Sequence, residues 1–247
     1  MAQWLNATVA ETIHWTSSLF SIKAKTGPLP FIAGQFVRLA LEGPEGRLQR
    51  AYSLVNPPDS DYQEFLISTV ADGLLSPLLQ QLTPGDTLGI SHPPTGFFIL
   101  DEIPDGDNLW LIATGTGIGP YLSMLATSEP YQRFAKIILI HSVRSAADLA
   151  YQELIAGFAK QYPGQLHYQP IVTREPHPGA LQDRIPNLIT SQQLQQHCGQ
   201  GLNEKSQVML CGNPQMITDT KAVLESMGLK KNLRRTPGNI TVEQYWK

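Results

Sequence analysis

The sequence predicts two domains: an antiparallel β-barrel followed by an α/β domain built on a parallel sheet. Three observations carry this reading. The chain has 247 residues, against about 100–200 per domain. Its texture changes near residue 101. A glycine turn then sits between a wholly apolar segment and a stretch with helical spacing. Apolar residues make up 42% of the chain, enough to give each domain a core. Gly and Pro number 20 and 19, a turn-rich composition that suits short strands. Only 16% of residues are charged, against a usual level of roughly 25%, which argues against a disordered chain or a coiled coil.

Six segments of the first hundred residues read as strands: 4–14, 19–24, 35–41, 47–55, 64–70 and 87–91. They show partial alternation and are rich in β-branched, aliphatic and aromatic residues. Gly27-Pro28, Asn56-Pro57-Pro58-Asp59 and Pro84-Gly85-Asp86 punctuate them. Residues 74–82 have helical character and stop before Pro84. Six short strands with one helix predict a small antiparallel barrel spanning 1–100.

Asp101-Glu102-Ile103-Pro104-Asp105-Gly106-Asp107 has linker composition, so the second domain is placed at 101–247. There, 109–113 (LWLIA) and 136–143 (KIILIHSV) are solid apolar runs, as strands covered on both faces should be. Segments 166–172 and 207–210 are further strands. Helical spacing over 117–127, 149–162 and 214–227 alternates with them, the last starting at Pro214. Alternating strands and helices predict βαβ units and a parallel sheet.

Charge and cysteine content exclude several classes. The net charge of −3 disfavours nucleic acid as a partner, because phosphate binding wants a basic surface. Residues 1–100 hold 5 Lys/Arg against 8 Asp/Glu, and 101–247 hold 13 against 13. A basic site is therefore expected in the second part. Cys198 and Cys211 are too few for a disulfide framework or for an iron–sulfur cluster, and no metal site is expected. The N-terminal residues lack a signal-peptide pattern and no apolar run reaches 18 residues, so a cytoplasmic protein with no membrane contact is expected. None of the six histidines stands beside a nucleophile motif, and none is nominated as a catalyst.

Thr114-Gly115-Thr116-Gly117-Ile118-Gly119-Pro120 joins a buried strand to a helix. At such a turn the glycines let a ligand approach the backbone, and the helix start presents free N–H groups to phosphate. The spacing G-x-G-x-G-P differs from G-x-G-x-x-G. The second strand of the domain ends in Arg144 where an acidic residue would favour NAD, and Arg174 ends the third, with Arg184 ten residues on. Strand ends of a parallel sheet share one edge, so Arg144 and Arg174 can converge on a phosphate. Cys211-Gly212-Asn213-Pro214 closes the last clear strand.

Arg50-Ala51-Tyr52-Ser53, the glycine turn and Cys211-Gly212-Asn213-Pro214 occur in this order across the chain. With Gly73-Leu74-Leu75-Ser76 and the terminal Tyr245-Trp246, they resemble the bacterial ferredoxin/flavodoxin–NADP reductase family over essentially the whole sequence. The resemblance implies an FAD-binding barrel, an NADP-binding α/β domain and electron transfer from NADPH through FAD to a ferredoxin or flavodoxin. It implies that Arg50, Ala51, Tyr52, Ser53, Leu74, Leu75, Ser76, Thr116, Tyr245 and Trp246 hold FAD. Arg50 would meet the pyrophosphate, Tyr52 the isoalloxazine and Ser53 the flavin N5. NADP would fall to Gly115, Thr116, Gly117, Arg144, Thr173, Arg174, Arg184 and Gly212, with Ser53 and Cys211 at the reacting atoms.

Close relatives end at Tyr-Trp, whereas this chain adds Lys247. Lys230, Lys231, Arg234 and Arg235 form the densest basic cluster, a candidate surface for an acidic carrier. A monomer is expected. Two rival readings keep the architecture: a reductase for free flavin, a ferric chelate or an oxygenase, and a nucleotide-sensing protein without catalysis.

Overall fold

The computed structural model describes residues 3–43 and 46–244. It contains β1 (Gln3–His14), β2 (Leu19–Lys25), β3 (Phe36–Gly43), β4 (Gly46–Ser53), β5 (Gln63–Ser68), α1 (Ser76–Gln80) and β6 (Thr87–His92). After these come β7 (Asn108–Thr114), α2 (Gly119–Leu125), α3 (Glu129–Arg133), β8 (Lys136–Val143), α4 (Gln152–Gln161) and β9 (Leu166–Val172). The chain continues through α5 (Ile185–Thr190), α6 (Gln193–Cys198), β10 (Ser206–Gly212), α7 (Pro214–Ser226) and β11 (Ile240–Gln244). Two compact units result: Met1–Ile99 with Gly119–Thr127, and Leu100–Ile118 with Ser128–Lys247.

In the first unit six strands form one antiparallel sheet in the order β4-β3-β6-β1-β2-β5. Alternation decides which side chains enter it. Ala7 and Val9 of β1, Phe20, Ile22 and Ala24 of β2, Val37 and Leu39 of β3, Phe65 and Ile67 of β5 and Leu88 and Ile90 of β6 share one core. The sheet curls until its ends approach. Just beyond β4, the Val55 N–H donates to the Glu64 carbonyl of β5 at 2.9 Å. Leu75 and Leu79 set α1 into the same core.

The segment Gly119–Thr127 differs from the sequence expectation, which cut the chain once near residue 101. It groups with the first unit. The buried Ser123 hydroxyl donates to the Asn56 carbonyl at 2.7 Å. Tyr121 packs on Phe98 with ring centroids 5.8 Å apart, and Met124 lies against Gly34. These are contacts over more than twenty residues of chain, and the local composition around the cut carries no trace of them.

The second unit holds a five-stranded parallel sheet in the order β11-β10-β7-β8-β9. Leu109, Trp110, Leu111, Ile112 and Ala113 are all buried, as are Ile137 to Ile140; helices over both faces produce this continuous burial. Arg133 fixes the approach to β7, donating to the carbonyls of Leu100 and Ile103 at 2.8 and 2.6 Å. Four elements escaped the sequence reading: the five-residue α3, α5 and α6, each six residues long, and β11. No helix among the described residues is long and apolar enough to cross a membrane.

Candidate functional site

The parallel sheet reverses its order at β7, with β8 and β9 on one side and β10 and β11 on the other. A crevice opens beyond the carboxyl ends of the strands at such a switch point. The glycine turn leaves the end of β7, and Cys211-Gly212-Asn213-Pro214 leaves the end of β10. Two glycines let these turns touch. A Cβ on Gly117 would lie 2.5 Å from the Cys211 carbonyl oxygen and 3.0 Å from the Gly212 Cα. Gly212 has φ of +127°, and a Cβ there would run into Thr114 Oγ1 and its backbone. The same Thr114 hydroxyl oxygen accepts the Asn213 N–H at 2.8 Å.

Gly115 is shaped differently. Its φ is +53°, and among the described residues nothing lies within 4 Å of a Cβ placed on it, so that side of the turn is open to them. Below the turn lies His141 on β8, fully buried, its Nε2 3.0 Å from the Gly115 carbonyl. A carbonyl can only accept, so Nε2 carries the proton. Burial pushes the His141 pKa down to about 4, the bond to Gly115 opposing it only in part. The ring is therefore neutral at ordinary pH. Among the described residues its Nδ1 has no hydrogen-bond partner. Thr116 sits half-buried in the short 3-10 turn Gly115–Ile118.

Arg144 and Arg174 follow β8 and β9. The Arg174 N–H donates to the Arg144 carbonyl at 3.0 Å, and the Thr173 N–H and hydroxyl both donate to the Val143 carbonyl. The two strand ends are thus held side by side, as the sequence anticipated. Arg184 caps the start of α5. All three arginines are exposed, and none enters an ion pair among the described residues. The neighbouring carboxylates are occupied: Glu175 accepts the Ala146 N–H, and Asp183 accepts from Asn187. Cys211 is fully buried, its Sγ 4.0 Å from a carboxylate oxygen of Glu243.

In the first unit, Arg50-Ala51-Tyr52-Ser53 lies on β4, with Val37 opposite Tyr52 and Phe36 opposite Ser53. Arg50 and Ala51 are exposed. The Arg50 guanidinium donates to the Gln49 carbonyl at 2.7 Å and meets no carboxylate among the described residues. Tyr52 is half-buried against the barrel core, and burial pushes its pKa up to about 12. Ser53 is buried. Leu74 and Phe97 are large apolar side chains 67% and 66% exposed. Leu75 and Ser76 are buried, and the Ser76 hydroxyl accepts the Val70 N–H at 2.9 Å. Among the described residues, the N–H groups of Leu74, Leu75 and Ser76 donate to nothing. An exposed guanidinium and three N–H groups without acceptors suit a pyrophosphate, so these residues fit FAD.

The basic cluster is brought together on one loop. Leu233 and Thr236 exchange backbone hydrogen bonds at 3.0 and 2.9 Å, which puts Arg234-Arg235 at the tip of a tight turn. Lys230, Lys231, Arg234 and Arg235 are all exposed. Arg234 is paired with Glu102 at 3.1 Å, so part of the cluster's charge is neutralised. Tyr245, Trp246 and Lys247 lie outside the described residues. His141 was passed over in the sequence, although one signal was available: it is the single strongly polar side chain inside the apolar run 137–141, next to the strand carrying the glycine turn.

Two family models match the chain: "Oxidoreductase FAD-binding domain" over residues 6–99 and "Oxidoreductase NAD-binding domain" over residues 111–222. Proteins named flavodoxin/ferredoxin–NADP reductase from Shigella flexneri and Escherichia coli are each 48% identical over the full length of both chains. A ferredoxin–NADP reductase from Pseudomonas aeruginosa is 39% identical over 94% of this chain and 93% of its own. Among solved structures, a ferredoxin NADP+ reductase from Neisseria gonorrhoeae with bound FAD and NADP superposes with a TM-score of 0.94, at 32% identity and full coverage of both chains. Full-length identity and the order of the two domains agree: the chain belongs to the flavodoxin/ferredoxin–NADP reductase family.

Proposed function

We propose that this chain is an enzyme that carries electrons between NADPH and a ferredoxin or flavodoxin, with FAD as its bound cofactor. The observation that carries the nucleotide half is the Gly117–Gly212 apposition at the switch point, flanked by arginines without ion pairs at two neighbouring strand ends. Bound FAD supplies the chemistry of exchanging electrons in a pair with NADPH and singly with a carrier. The protein binds and orients.

Arg50 and the N–H groups of Leu74, Leu75 and Ser76 would hold the pyrophosphate of FAD, an anion met by a cation and oriented dipoles. Tyr52 would offer a flat face to the ring system, beside Ala51. The Ser53 hydroxyl would bond the flavin nitrogen that gains and loses hydrogen. In the second unit, the Gly115-Thr116-Gly117 backbone and Gly212 would admit the dinucleotide. Arg144, Thr173, Arg174 and Arg184 would bind the 2′-phosphate, a dianion whose fork-like recognition arginine supplies. Cys211 would stand at the nicotinamide. The hairpin carrying Lys230, Lys231, Arg234 and Arg235 would receive the acidic carrier. The names of the full-length relatives support a ferredoxin or flavodoxin over a free flavin, ferric chelate or oxygenase as the acceptor.

The test is direct. The purified protein should be yellow, release FAD on denaturation and be reduced by NADPH much faster than by NADH in a stopped-flow instrument. FMN in the extract, or a colourless protein that no flavin reconstitutes, would overturn the reading. Ser53→Ala and Cys211→Ala should keep their FAD and be reduced more slowly, by up to about 100-fold where a reacting atom is displaced by about 1 Å. Wild-type rates in both would remove these side chains from the reacting centre.

A further inference from the structure

The glycine turn is held from below by a side chain that the reading above does not use. His141 is fully buried on β8, opposite Ala113 of β7 and Pro170 of β9. Its Nε2 donates to the Gly115 carbonyl at 3.0 Å, and among the described residues its Nδ1 bonds nothing. An apolar side chain would fill the same space without burying an unpaired nitrogen. What histidine adds is the single bond to Gly115.

That bond acts on the first residue of the 3-10 turn Gly115–Ile118, and it adds a side-chain donor to a carbonyl that the turn's own i→i+3 bonding also uses. Gly115 has φ of +53°, and among the described residues nothing lies within 4 Å of a Cβ placed on it. Glycine samples positive and negative φ about equally, so its sequence alone does not fix the peptide that follows it. A trans peptide is planar, and its C=O and N–H point in opposite directions. Drawing the Gly115 oxygen inward to His141 therefore turns the Thr116 N–H away from the imidazole.

We infer that His141 is a positioning residue for dinucleotide binding: its Nε2–H locks the Gly115–Thr116 peptide in the orientation that the nucleotide meets. The inference rests on the proposal that NADP(H) lies on this turn. The imidazole itself touches no ligand. It also differs in kind from the arginines, because it serves what NADPH and NADH share, whereas they serve the 2′-phosphate that only NADPH has.

The experiment compares His141→Leu and His141→Gln as FAD-loaded enzymes. Glutamine is polar, and its amide N–H can reach where Nε2 stands. Diaphorase kinetics with NADPH and with NADH, and competitive inhibition by 2′-AMP, are measured on both. In His141→Leu, KM should rise about tenfold for both nucleotides, the loss expected for one hydrogen bond. Inhibition by 2′-AMP, FAD content and the kcat ratio of the two nucleotides should stay as in the wild type. His141→Gln should recover most of the loss.

Unchanged KM values in His141→Leu would overturn the inference. So would a weakening of 2′-AMP together with NADPH, which would mean general damage to the unit, or a His141→Gln enzyme as impaired as His141→Leu. A wild-type enzyme that does not bind 2′-AMP would instead refute the arginine site and leave this comparison of NADPH with NADH intact.

Discussion

The two candidate phosphate sites are built differently. In the antiparallel unit, Arg50 projects from a curled sheet, and the N–H groups of Leu74 to Ser76 stand at the start of a five-residue helix. Under the reading proposed above, a side chain and a short loop would meet the phosphate there. In the parallel unit, under the same reading, the arginines would stand beside a turn built of packed backbone: Gly117 lies against Cys211 and Gly212, Gly212 lies against Thr114, and His141 holds Gly115 from beneath. A site made of exposed side chains can lose affinity without losing structure. A site made of packed backbone cannot, because its atoms are also the core of the switch point.

The sharpest way to break this contrast is to add one methyl group. Gly212→Ala combines a forbidden φ of +127° with a clash against Thr114, and Gly117→Ala drives a Cβ to 2.5 Å from a backbone oxygen. Overpacking and backbone strain together should destabilise the protein by about 3 kcal/mol or more and abolish NADPH-dependent reduction. Urea unfolding reads this as a lowered midpoint. Gly115→Ala should cost only about 1 kcal/mol, since a φ of +53° is accessible and its side is open. Arg50→Ala should move the midpoint of the FAD-free protein by less than about 0.5 kcal/mol. If Gly212→Ala and Arg50→Ala behave alike, the contrast between the two sites is wrong.

Acid should separate them next. The folded protein keeps His141 neutral down to about pH 4, whereas an unfolded histidine takes a proton near pH 6.5. Between these values the unfolded state binds more protons, so stability falls as the pH falls. The loss should total about 3 kcal/mol from this group, fully restored above pH 6.5. His141→Gln should remove that part of the slope. An unchanged slope in the variant would show that the histidine is not buried neutral in solution.

The sequence made the strands of both sheets visible for a physical reason. Alternation such as buried Ala7 and Val9 between exposed neighbours marks a sheet covered on one face, and runs such as LWLIA mark one covered on both. The glycine turn, Arg144 and Arg174 were legible because strand order and chain order coincide at the ends of β7, β8 and β9. What stayed hidden depends on distant chain. The short helices α5 and α6 offer too few residues to show a period, and β11 gains its strand conformation only by pairing with β10. The helix Gly119–Leu125 carries no local sign that Ser123 will bond Asn56. His141 illustrates the same limit within the site, because its meaning lies in a carbonyl 26 residues earlier.

A smaller effect should follow at the nucleotide end. Arg144→Ala should weaken NADPH by about 1.5–3 kcal/mol, the range for hydrogen bonds to charged groups, and leave NADH nearly unchanged. KM ratios for the two nucleotides measure it. Equal losses for both would make Arg144 a support for the strand end, as its carbonyl bond to Arg174 already is.

The smallest effect belongs to the carrier surface, and salt decides its size. The chain as a whole is negative, at −3, so net charge alone would repel an acidic carrier. Any attraction must come from a local patch, and the hairpin with Lys230, Lys231, Arg234 and Arg235 provides one. Arg234 already faces Glu102 at 3.1 Å, so Lys231 and Arg235 are the better positions to reverse. Exposed charges act over a Debye length of about 8 Å at physiological ionic strength and farther in dilute buffer. Lys231→Glu with Arg235→Glu should therefore slow reduction of a ferredoxin or flavodoxin several-fold at low salt, mostly through the association rate, and much less at high salt. Reduction of a small dye by NADPH should continue at the wild-type rate, since neither cofactor site is touched. A parallel fall in both activities would assign the hairpin to the nucleotide or to stability, and no fall in either would place the carrier elsewhere on the surface.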